Sequence, residues 1–297
     1  MVSTGTTVIP EWLQTLYPFA PRSFVTAHGA KMSYVDTVGG DEAVLMLHGN
    51  PTWSFYYSKL IQAVAPTMRC VVPDHIGMGL SDKPNDYPYT LETRIADVEA
   101  LVSLLGLKKI HLVVHDWGGA IGFGFATRHP ELIERLVVLN TAAFPSEHLP
   151  TRIAACRIPV LGPLVVRGAN GFAGPATWMS MNRRELSPEE KRALLCPYDT
   201  WAHRVAVNAF VQDIPMHPSH GTWPTLEKVG EGLKQFIDSP MLIVWGGDDF
   251  CFNDQFFAEW EKRFPKAETK YLSDAGHYVL LDAEEEVVPV ITEFLAR

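Results

Sequence analysis

The sequence predicts an α/β protein: a doubly wound, mostly parallel eight-stranded sheet flanked by helices, with a helical cap inserted late in the chain. Three observations carry this. Short β-rich runs alternate with helical patterns over most of the 297 residues. The run Val44-Leu45-Met46-Leu47 is apolar at every position, as a strand covered on both faces requires. Between about Phe144 and Ser239 the alternation stops, prolines crowd in, and no run matches the β-rich runs elsewhere.

In chain order, the expected strands are 23–27, 31–36, 43–47, 69–73, 110–115, 136–140, 241–245 and 269–272. Helical patterns fill 91–105, 118–128, 254–264 and 284–295. The division that follows is a core of residues 1–144 and 240–297 and a cap of residues 145–239. In an open α/β sheet, ligands bind at the C-terminal ends of the strands, which is where such a cap would sit.

Composition narrows the function. Hydrophobic residues make up 47%, enough for a sizeable core. Thirty-four acids against 25 bases give a net charge of -9 with no basic block, which argues against a nucleic-acid surface. The four cysteines, Cys70, Cys156, Cys196 and Cys251, form no CxxC pair, so reduced, packed thiols are expected. No apolar run reaches the length of a membrane span, and the N-terminus lacks the basic and apolar regions of a signal peptide. A soluble, cytoplasmic protein is expected.

The chemistry concentrates in VVHDWGGAIG, residues 113–122, an apolar run that breaks at His115-Asp116-Trp117 before two glycines. That is the layout of a strand, a sharp turn and a helix with one side chain at the apex, where many hydrolytic enzymes place Ser. Here the apex is Asp116; taken alone, it serves equally as a cap for the helix that follows. Val114 stands where the first small residue of the G-x-S-x-G pattern would be, and Gly118 keeps the second. Three further pieces follow strands in turn: His48-Gly49-Asn50 after 43–47, Asp248-Asp249 after 241–245, and His277 after 269–272. Nucleophile, acid and histidine thus appear in the order this layout demands. The backbone amides of Asn50 and Trp117 would form an oxyanion hole, and His48 reads as a structural loop histidine.

With these motifs the chain resembles the haloalkane dehalogenase family of α/β-hydrolases. The resemblance rests on HGNPTWS (48–54), PDHIGMGLSDKP (73–84), HDWGG (115–119), WGGDD (245–249) and AGH (275–277). It is closest to the subfamily that pairs an Asp acid after the penultimate strand with an Asn halide ligand. Members with a Glu acid carry it after the previous strand, where this chain has Leu139-Asn140-Thr141-Ala142 and no carboxylate. The G-x-x-D pattern counted from Gly246 selects Asp249 as the acid and leaves Asp248 in a turn.

The resemblance implies hydrolytic dehalogenation. Asp116, ionised without help, attacks a saturated carbon; the indole of Trp117 and the amide of Asn50 receive the halide; His277, oriented by Asp249, activates water against the resulting ester. A small apolar substrate, water and halide are the expected partners, with no nucleic acid. No metal or organic cofactor is expected, since the developing charges have partners and no HExxH or paired Cys/His spacing occurs.

A second reading uses the same machinery. The motifs are equally similar to the β-lactone decarboxylases of bacterial long-chain olefin biosynthesis, and two cap segments, 157–172 and 197–215, resemble that group. The first segment is apolar and Gly-rich, suited to plain packing, a greasy substrate or assembly of a homo-oligomer through the cap. Dehalogenation ranks first here, because Asn50 and Trp117 form a halide site. Epoxide hydrolysis needs two cap tyrosines and the cap has one, Tyr198; an HDRG-type carboxylate clamp is excluded by Trp117. A non-catalytic binding module on the same fold is the remote alternative. Trp178, Trp201 and Trp223 are candidates to line the pocket, Trp178 as a second indole donor.

Overall fold

A computed structural model describes residues 9–37 and 39–297. The N-terminal expectation rests partly on residues 1–8, which lie outside the described residues.

Eight strands form one sheet: β1 (Arg22–Val25), β2 (Lys31–Asp36), β3 (Glu42–Leu47), β4 (Cys70–Pro73), β5 (Lys109–Asp116), β6 (Ile133–Thr141), β7 (Met241–Gly246) and β8 (Glu268–Leu272). Their spatial order is β1-β2-β4-β3-β5-β6-β7-β8, and every pairing is parallel except the two made by β2. Strand β6 begins earlier than its apolar run, at Ile133-Glu134-Arg135, because that end of the strand is only half buried.

Alternate residues of β3 serve two cores. Ala43, Leu45 and Leu47 face one apolar cluster, and Val44 and Met46 face the other. The helices that supply these layers are α1 (Glu11–Gln14), α2 (Ser58–Val64), α3 (Leu91–Leu105) and α4 (Trp117–Arg128). Thr90 caps α3 through its side chain, and Gly106, left-handed at φ 64°, ends it. The short helix α2 carries no signal strong enough to predict from sequence; its Leu60, Ile61 and Val64 are buried by the second cluster.

Between β6 and β7 the described residues contain no strand. They hold α5 (Thr151–Ala155), α6 (Leu161–Pro163), α7 (Ala173–Met179), α8 (Pro188–Leu195), α9 (Val205–Gln212) and α10 (Trp223–Gly232), with short turns of tighter or wider helix. Ser187 and Glu190 close a reciprocal capping box on α8. The core resumes with α11 (Asp254–Arg263), α12 (Val279–Asp282) and α13 (Glu284–Leu295). Trp53 Nε1–H donates to the Ala193 carbonyl at 3.0 Å and Tyr198 Oη–H to that of Thr52 at 3.1 Å, tying the helical segment to the loop after β3. No helix among the described residues is long and apolar enough to cross a membrane.

Candidate active site

Asp116 ends β5 in a conformation rare for a side-chain-bearing residue, φ 52° and ψ -128°. Such a residue costs about 1–3 kcal/mol and persists only where its surroundings hold it. The register between β5 and β6 shifts at this point, so that Asp116 pairs with Thr141. The Thr141 hydroxyl donates to the Asp116 carbonyl. Glycines make the close approach possible: a Cβ on Gly49 would strike the Asp116 side chain, one on Gly118 the Leu47 carbonyl, and one on Gly119 the Thr141 hydroxyl.

The two carboxylate oxygens of Asp116 have different surroundings. Oδ1 accepts the backbone N–H of Asn50 at 2.6 Å, and the Trp117 N–H also bonds the carboxylate. Oδ2 lies 3.7 Å from His277 Nε2. Burial pushes the Asp116 carboxyl above the ordinary range, while His277 and the two N–H groups pull it back.

His277 Nδ1–H donates to Asp249 Oδ2 at 2.8 Å, leaving Nε2 toward Asp116. Asp249 also accepts from the Asn140 amide at 3.0 Å and from the Cys251 N–H at 2.6 Å. Burial lowers the His277 pKa, but the charge and hydrogen bond of Asp249, with the charge of Asp116, outweigh it and the net direction is up. Asp248 is exposed and bonds the Ala275 carbonyl only through its backbone N–H. Asp249 is therefore the carboxylate that orients His277.

Four residues at this site escaped the sequence reading. Asn140 stands at φ 30°, skipped by the β5–β6 register; its side chain bonds both the N–H and the carbonyl of Gly246 and then Asp249. A polar residue closing a buried apolar strand was its only signal. His115 stacks on Tyr56 and donates to the His277 carbonyl at 2.9 Å, fixing the backbone that carries His277. Phe252 stacks on the His277 ring at 5.8 Å between centroids, and Phe250 meets it edge-on. His48 is structural in geometry: its Nδ1–H donates to Gly49, its Nε2 accepts from His75, and burial takes its pKa down to about 4.

A cavity of about 340 Å³ opens above Asp116. Asn50, Trp117 and His277 share its inner end, and Phe144, Phe172, Phe252 and Ile153 are among its apolar walls. Among the described residues no protein acceptor meets the Trp117 indole N–H. The Asn50 side chain differs from expectation. Its amide donates to the Val207 carbonyl at 3.1 Å, so one of its two hydrogens is committed to α9 and one remains. Trp178 also lines the cavity, yet it is 64% exposed, which puts it at the outer rim rather than beside Trp117. Trp201 and Trp223 do not line it; Trp201 packs under Arg167, and Trp223 bonds Glu227 on its own helix. Tyr198 is fully buried and its hydroxyl is spent on Thr52 and Gly79.

Residues 42–284 match the model of the α/β hydrolase fold family. The chain is 44% identical to a cis-3-alkyl-4-alkyloxetan-2-one decarboxylase of Shewanella oneidensis, over 96% of this chain and 91% of that one. It is 43% identical to the protein of the same description from Xanthomonas campestris, over 95% and 97%. Among solved structures it resembles the haloalkane dehalogenase DbeA of Bradyrhizobium elkani, with a TM-score of 0.81 and 27% identity over 93% of this chain and 97% of that one.

Proposed function

We propose, from the premise that this chain belongs to the α/β-hydrolase fold family and to its branch of oxetan-2-one decarboxylases, that it converts a cis-3,4-dialkyl β-lactone into an alkene and carbon dioxide. Membership rests on the family model over residues 42–284 and on relatives 44% and 43% identical along nearly the whole chain. This reverses the order reached from sequence, in which haloalkane hydrolysis came first. The reason for the change of order is physical: indole and amide N–H donors serve a departing carboxylate as well as a departing halide, so Asn50 and Trp117 do not discriminate between them.

One observation carries the chemistry. Asp116 has Oδ1 held by the Asn50 N–H and Oδ2 turned toward His277, at the floor of an apolar cavity. In our reading Oδ2 attacks C4 of the lactone. The bond from C4 to the ring oxygen breaks, its electron pair leaves on a carboxylate, and C4 inverts. The Trp117 indole N–H and the free amide hydrogen of Asn50 donate to that carboxylate. The bond from C3 to the carboxyl carbon then breaks; its electrons form the C3–C4 double bond and expel Asp116 as a carboxylate. Inversion followed by anti elimination returns a cis alkene, and neither water nor a proton is consumed. His277, oriented by Asp249, faces the negative charge as it moves from Asp116 to the substrate and back. Phe250 and Phe252 against its ring keep a hydrolytic water from the ester.

Dehalogenation remains the second reading, supported by the likeness to the haloalkane dehalogenase DbeA. In it His277 acts as base and water attacks the Asp116 ester carbonyl. The Asp116, His277 and Asp249 geometry argues against a non-catalytic module.

One experiment separates the two. The protein is turned over in ¹⁸O-labelled water, once with a cis-dialkyl β-lactone and once with a bromoalkane. The expected outcome is cis alkene and carbon dioxide in equal amounts, with Asp116 unlabelled by peptide mass spectrometry. Comparable release of bromide, with ¹⁸O entering Asp116, would overturn the proposal.

A further inference from the structure

The cap presents an apolar face that the reaction does not use. Ile158, Val160, Leu161, Leu164 and Val165 are all exposed, Val160 to 76%. Plain packing, one expectation for this segment, is therefore excluded for these five side chains. Val160 sits at φ 67° and ψ -52°, with the Leu161 N–H bonded to the Pro159 carbonyl, a strained three-residue turn that holds a β-branched side chain outward. Contiguous exposed apolar surface of this kind on a monomer marks an interaction site.

Two observations identify the occupant. The first is charge. From His148 to Arg184 there is no Asp or Glu, in a chain of net charge -9, while Arg152, Arg157 and Arg167 border the apolar residues. Among the described residues Arg152 and Arg167 make no ion pair with a carboxylate, while Arg157 is half-buried and feels the charge of Asp213; Arg183 and Arg184 are paired with Asp274, Glu286 and Glu190. The second is continuity with the cavity. Gly171 and Phe172 line it, and Val165 packs directly against Gly171. Trp178 stands exposed at the same rim, and Trp201, also exposed, lies 4.7 Å beneath the Arg167 guanidinium. Apolar residues to insert, arginines beside them and tryptophans at the boundary are the requirements of an anionic lipid interface.

We propose that this face of the cap docks on an anionic lipid surface and turns the cavity mouth toward it. The docking stands on the surface alone. That the mouth then takes its substrate from, and returns its product to, the lipid rests on the function proposed above.

The test is co-sedimentation of the full chain with vesicles of phosphatidylcholine, with and without phosphatidylglycerol, and no substrate present. Binding is expected to the phosphatidylglycerol vesicles and to weaken as salt rises from about 0.05 to about 0.5 M. The pair Leu161→Asp with Leu164→Asp should cut the bound fraction roughly tenfold, since two charges would have to enter the interface. Its turnover of a short, water-soluble substrate should be unchanged, which shows that it is folded. Replacing Arg152 and Arg167 by Gln should remove most of the preference for phosphatidylglycerol. Failure to bind, equal binding to both vesicles, or undiminished binding by the Leu161/Leu164 variant would overturn the proposal. So would a wild-type dimer in solution that the same variant converts to monomer, because the face would then be covered by a second copy. None of these outcomes depends on whether the lactone chemistry is right.

Discussion

Burial raises the Asp116 carboxyl above the ordinary carboxylate range, and the N–H groups and His277 facing it offset only part of that effect. The sign of the linkage follows. A group whose folded pKa is raised favours the fold while protonated, and that stability is lost as pH rises through the folded pKa. At neutral pH the ionised Asp116 therefore weighs against folding, and Asp116→Asn should remove the burden. The amide oxygen can still accept from Asn50 and Trp117, and its nitrogen can donate to His277 Nε2. Activity should fall by roughly 10⁴-fold or more, because no nucleophile remains. The melting temperature at pH 7 should rise by about 2–4 °C. That gain should shrink as pH falls through the raised range in which the folded carboxyl protonates, and be gone below the ordinary value of about 3.9. Calorimetry across pH checks this; a variant no more stable at pH 7 would mean that the ion pair with His277 fully repays the burial. Asp116, Asp249 and His277 stood out in the sequence as candidates because an Asp at a strand-turn-helix apex is followed, in order, by an acid and a late His. Asn140, His115 and Phe252 did not, since each acts through a neighbour distant in sequence.

At the scale of elements, the β5–α4 turn works only because three backbones approach where side chains would collide. Gly119 lies against Thr141, whose hydroxyl in turn holds the Asp116 carbonyl. Gly119→Ala should force Thr141 away, lowering unfolding free energy by about 1–3 kcal/mol. The turnover number should fall more than KM rises, since Asp116 is misaimed while the cavity walls stay in place. Urea titration and steady-state kinetics on one preparation measure both. Loss of stability with intact turnover would mean that the Thr141 contact does not aim Asp116. The paired glycines announced a tight turn in the sequence; that Thr141 is what they make room for depends on the β5–β6 register, which slips by one residue at Asp116.

Across the whole molecule, helical segment and core are joined by a buried ion pair. Arg94 of α3 reaches Asp213 just beyond α9 at 3.2 Å, with its guanidinium 3.7 Å from the Phe210 ring centre. Both groups are buried, and Phe210 in turn packs on Trp117 at 5.3 Å between ring centres. Arg94→Met alone leaves a buried carboxylate and should cost about 3–5 kcal/mol. Adding Asp213→Asn should restore most of it. Denaturant titration of both variants decides this; additive losses would mean that the pair is not coupled. Arg94 lies in the first turn of α3 with no sequence signal of a distant partner. Its role appears only when the chain returns 119 residues later.

The eight strands and the four long core helices were readable because each carries a local pattern, a short apolar run for a strand covered on both faces or a repeat of 3.6 residues for a helix, a property of neighbouring residues alone. The chain order of Asp116, Asp249 and His277 was readable for a related reason, since each follows a strand that can be recognised. What only the tertiary structure decided concerns groups that meet across long separations. It committed half of the Asn50 amide to Val207, sent Trp178 to the rim, and left the 158–165 segment facing outward. A sequence carries the propensity of each residue, but hydrogen-bond partners and exposure belong to pairs of elements, and those exist only once the chain has packed.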